Sequence, residues 1–72
     1  MRIDLENYGK DESYEIRLQI SLIKNAEGML PYYEEKRDKF EEYIHERIKK
    51  IKEILNVEHA EVFENGRIIF KF

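Results

Sequence analysis

Residues 13–24, SYEIRLQISLIK, alternate polar and apolar side chains without a fault as far as Leu22. In an extended chain Tyr14, Ile16, Leu18, Ile20 and Leu22 point one way, and Glu15, Arg17, Gln19 and Ser21 point the other, as in a half-buried strand. So long a strand belongs in the centre of a sheet. Upstream, residues 2–8 alternate as well, with Ile3 and Leu5 on one face and Arg2, Asp4, Glu6 and Tyr8 on the other. Gly9 to Glu12 supply the turn between the two, which predicts a hairpin. Asn25 to Gly28 break the second strand, and Met29 and Leu30 lead into a helix.

That helix spans residues 31–56, PYYEEKRDKFEEYIHERIKKIKEILN, and reads as one long element. Phe40, Ile44, Ile48, Ile51 and Leu55 recur at steps of three and four and form a core-facing stripe. Pro31 suits the first helical position, Glu34 and Glu35 stand near the positive end of the helix dipole, and Lys49, Lys50 and Lys52 stand near the other. Asn56 supplies a stop. Residues 57–64 and 67–72 then flank Asn65-Gly66, a strong hairpin signal. A two-residue turn would set Phe70 beside Glu61 and waste a large apolar side chain. A three-residue loop of Glu64, Asn65 and Gly66 sets Val62 opposite Ile68 and Ala60 opposite Phe70, and is the predicted arrangement.

These elements predict a single α+β domain over 1–72, with the order ββαββ. Four strands, at about 2–8, 13–24, 57–64 and 67–72, make a mainly antiparallel sheet, and the helix at about 31–56 packs across one face. A chain of 72 residues has a thin core, burying only about 60% of the surface its unfolded form exposes. The absence of cysteine excludes a disulfide framework and thiolate metal sites. No apolar run reaches the roughly 20 residues of a membrane span, and MRIDLENYGK lacks the apolar region of a signal peptide, so a soluble, cytoplasmic protein is expected. The chain is 40% charged, with one Gln, two Ser and no Thr, Cys or Trp, a bias that resembles proteins of hyperthermophiles or their viruses.

Chemistry finds little purchase in these residues. Glu41 and His45 stand four apart on the helix and His59 lies downstream, a spacing able to bring metal ligands together, but His45 falls on the flank of the apolar stripe, where a solvated ion-pair network is the simpler reading. No metal, cofactor or catalytic residue is assigned. An enzyme with a Glu/His site is the weakest class, since no carboxylate stands out among thirteen glutamates and the three glycines are isolated turn residues. An open sheet face carrying Arg17, Arg67 and Lys71 beside aromatic residues offers a nucleic-acid alternative. Charge disfavours it: on that face Arg2, Arg17, Arg67 and Lys71 are matched by Asp4, Glu6, Glu15 and Glu61, and net charge is −3.

The remaining class is a non-enzymatic interaction or assembly protein, such as an accessory subunit or a viral host-factor binder. Tyr43 and Ile54 widen the helix's apolar arc beyond what one packed face requires, and Tyr8, Ile23, Phe63 and Ile69 are placed on the sheet's outer face. A thin core with spare apolar surface predicts self-association, most simply a two-fold homodimer, with another protein as the further partner.

Overall fold

The computed structural model describes residues 1–72 and has two helices and three strands. β1 (Arg2–Asp4) runs into a 3₁₀ turn (Leu5–Asn7), and after it come α1 (Lys10–Met29), 3₁₀ turns at Leu30–Tyr32 and Glu34–Lys36, α2 (Arg37–Leu55), β2 (Glu61–Glu64) and β3 (Arg67–Lys71). The sheet order is β1-β2-β3, with β1 parallel to β2 and β2 antiparallel to β3. The molecule remains α+β, but it is not a four-stranded, mainly antiparallel sheet crossed by one helix.

The stretch 13–24 is the source of that correction. It lies inside α1, whose buried residues are Ser13, Ile16, Gln19, Ile20, Ile23 and Ala26, spaced by threes and fours as one helix face requires. Its alternation comes from two interleaved ladders: Tyr14, Leu18 and Leu22 step by four, and so do Ile16 and Ile20. The ladders are offset by two residues, or 200° around a helix, so they occupy opposite faces. Ile16 and Ile20 face the core, whereas Tyr14 is 66% exposed and Leu18 38%. With 13–24 helical, the strand hairpin expected over 2–24 disappears, and β1, reduced to three residues, pairs instead with β2 (Ile3 with Val62).

The single helix expected over 31–56 is likewise shorter. Two 3₁₀ turns occupy Leu30 to Lys36, with Pro31 in the first, and they reverse the chain between α1 and α2. α2 ends at Leu55, where Asn56 takes the left-handed conformation (φ 56°) and donates its N–H to the carbonyl of Lys52.

The β2-β3 turn corrects a further expectation. Glu64 pairs directly with Arg67 around a two-residue turn, and Asn65 (φ 52°) and Gly66 (φ 76°) both adopt positive φ, as a type I′ turn demands. A register shift between Val62 and Phe63 then sets Phe63 against Ile68 but Val62 against Phe70. Ile69 is the extra residue. The bulge, rather than a longer loop, rescues Phe70 from Glu61 and lets both Ile69 and Phe70 pack on the core.

That core joins Ile3 and Leu5, Ile16, Ile20 and Ile23 of α1, Ile51 and Leu55 of α2, and Ala60 and Val62. Ser13 fastens the 3₁₀ turn after β1 to α1 from within, its hydroxyl donating to the carbonyl of Leu5 at 2.8 Å. Helices of 20 and 19 residues are each about 30 Å long. Strands of three to five residues cannot cover them, so the sheet caps one end of a helical hairpin and the molecule measures 40 × 21 × 21 Å.

Candidate functional site: the uncovered face of the helical hairpin

Each helix has a face against the sheet and core and a flank turned away from it. On α1 the sheet side is marked by Arg17, Ile20, Ser21 and Lys24, which line a depression shared with Glu64 and Ile69, and Arg17 pairs with Glu64. At 100° per residue, Leu18, Leu22 and Met29 lie on the other side, within about 40° of one another. On α2, Ile51 has no exposed surface, whereas Tyr43 is 39% exposed on the uncovered flank; Ile54 falls within about 20° of it but packs against the core near the sheet.

Near the hairpin tip these flanks meet in a groove of about 380 Å³, with Leu22, Ala26 and Met29 from α1 facing Phe40 and Tyr43 from α2. Asn25, Lys36 and Lys39 complete its rim, and neither lysine makes an ion pair within the chain. Met29 is 43% exposed and Tyr43 39%, although each borders other apolar side chains. Tyr33 continues the apolar surface around the tip, its ring centroid 6.0 Å from that of Phe40. The other sizeable depressions, beside Tyr8 and Arg17 and beneath Lys49 and Lys52, are lined chiefly by polar and charged side chains.

Ala26 on α1 and Phe40 on α2 line the same groove, and seven residues nearer the sheet on each helix stand Gln19 and Arg47. Both carry an unpaired buried atom. Gln19 donates to Glu15 at 2.8 Å, but its Oε1 accepts nothing; Arg47 Nε donates to nothing, while its guanidinium stacks over Tyr43 at 5.1 Å.

The residues singled out from sequence scatter. Tyr43 lines the groove, and Ile54 lies farther along the same flank, half-buried against the core. Tyr8, Ile23, Phe63 and Ile69 do not form one outer-face patch: Ile23 is on α1 with no exposed surface, Tyr8 and Ile69 pack against the core, and Phe63 lies beneath the Arg2 guanidinium at 3.9 Å. Arg17 belongs to a helix instead of the sheet, and Arg67 and Lys71 sit on β3 opposite Glu64 and Glu61. Glu41 accepts from Arg37 at 3.2 Å, His45 and His59 are exposed, and no three His, Asp or Glu side chains converge on a point.

Two groups near the sheet have shifted titration. Asp4, hydrogen-bonded to Arg2, raises the Arg2 guanidinium above its ordinary value. The Glu6 carboxylate accepts the backbone N–H of Asn65, which holds it below the usual carboxylate range. Both groups are exposed; the Arg2 pair lies within β1, and Glu6 ties the 3₁₀ turn after β1 to the β2-β3 turn, so neither faces the groove.

No family model, curated protein or solved structure matches this chain.

The groove was partly legible. Tyr43 marks its α2 wall in the sequence, but the alternation of 13–24 assigns Leu18 and Leu22 to a strand, and Met29 is read as the lead into the second helix. Their steps of four and seven were the available signal.

Proposed function

We propose that this is a non-enzymatic interaction and assembly protein that associates with a second copy of itself through the uncovered face of its helical hairpin. One observation carries the reading: Leu18, Leu22 and Met29 on α1 and Phe40 and Tyr43 on α2 form a contiguous apolar strip on the side that the sheet leaves bare. Scattered surface hydrophobes are ordinary, but an apolar groove rimmed by polar side chains is the form that association surfaces take. The small core adds to this, since only 12 of 72 residues are buried and a domain of this size gains much from covering a second apolar face.

The test is solution mass by light scattering over a range of protein concentrations, for the wild type, Leu22→Glu and Ile68→Glu. Leu22 lies in the groove, whereas Ile68 is 49% exposed on the outer sheet face, opposite Phe63. The expected result is a dimer for the wild type and for Ile68→Glu and a folded monomer for Leu22→Glu. A monomeric wild type at every concentration, or dissociation by the Ile68 change alone, refutes the reading.

A further inference from the structure

Resting on that reading, we infer that the two copies pair with their two-fold axis running along the helices, so that α1 of each faces α2 of the other and both sheets lie at the same end. The uncovered face consists of two strips. On α1, Asp11, Glu15, Leu18, Leu22 and Met29 succeed one another at helical spacing, acidic near the sheet and apolar toward the tip. Leading into α2 and along it, Lys36, Lys39, Tyr43, Arg47 and Lys50 do the same, with basic side chains along the whole strip. Lys36, Lys39, Lys50 and Asp11 make no ion pair within the chain.

A two-fold interface sets one patch against itself, and the direction of the axis decides which strips meet. With the axis along the helices, residues at the same level come together, one from each strip. With Leu22 of one copy against Tyr43 of the other, Glu15 meets Lys50 and Asp11 lies one turn farther toward the sheet, so the two tip grooves close on each other. With the axis across the helices, each strip meets itself reversed. The basic α2 strip would then face itself, with Lys39 opposing Lys50, placing like charge against like charge. Such juxtapositions suppress a pairing mode even where its apolar contact is similar.

The chain has no cysteine, so a single introduced cysteine gives a single label. Spin labels at Glu58→Cys, at the sheet end, and at Tyr32→Cys, at the tip, report both ends of the pair by pulsed dipolar spectroscopy on samples of known mass. Glu58 and Tyr32 are both exposed, and neither lies in the groove. The inferred axis brings both ends together, so both distances are expected at about two helix widths, roughly 20 Å. A dimer whose Glu58 labels are farther apart than the length of α2, about 28 Å, overturns the pairing and leaves self-association standing. A monomeric mass for the labelled chains and the wild type overturns both.

Discussion

The two faces of the helical hairpin carry similar numbers of large apolar side chains and meet opposite fates. On the face toward the sheet, Ile16, Ile23 and Ile51 have no exposed surface; on the other, Leu18, Met29 and Tyr43 each keep more than a third of theirs. The difference arises from strand length. Three strands of three to five residues cover the sheet-proximal half of one face and nothing else. Amphipathicity alone therefore does not say which apolar positions belong to the chain's own core; the reach of the covering layer does.

The largest effect expected from this contrast is on stability. In urea unfolding at concentrations below association, Ile16→Ala empties a site with no exposed surface and should cost about 3–4 kcal/mol, whereas Leu18→Ala, two residues away on the bare face, should cost less than about 1 kcal/mol. Equal costs would mean that the two faces are not distinct. A smaller change of opposite sign is expected at the seam between them. Gln19→Met keeps the side chain's shape and removes a buried acceptor that has no partner, so the unfolding midpoint should rise, by up to about 1 kcal/mol in stability. A fall would show that the hydrogen bond to Glu15 outweighs the orphaned oxygen.

The smallest effect lies on the sheet side and depends on pH. The folded protein holds Glu6 below its ordinary value, so its contribution is present above the usual carboxylate range and is lost as pH falls through the depressed folded value. Glu6→Gln should therefore be less stable than wild type at neutral pH, with the gap closing as pH falls through the depressed folded value. A gap that widens on acidification contradicts the role given to the Asn65 N–H.

Much of the sheet end and of α2 was legible in the sequence. Asn65-Gly66 marks the turn because few residues tolerate two successive positive φ values, and Ile44, Ile48, Ile51 and Leu55 mark the core side of α2. The bulge at Ile69 was not, because the same side chains can be brought into register by lengthening the loop. α1 was misread for a physical reason: a helix with apolar ladders on two opposite faces has a period of two as well as a period near 3.6. Ile23, which breaks the alternation yet continues the stripe of Ile16 and Ile20, was the residue that distinguished them. Part of the groove is hidden with it, since Leu22, which lines the groove, and Leu18, one turn away, belong to the second ladder.

The most direct test of the central claim, that the bare face is held by a second copy, is amide hydrogen exchange at protein concentrations below and above association. Amides of Leu22–Met29 and Arg37–Ile44 should gain protection as concentration rises, while those of Ile51, Leu55 and Val62 are already protected at the lowest. Protection that is the same at every concentration along both helices would contradict the account.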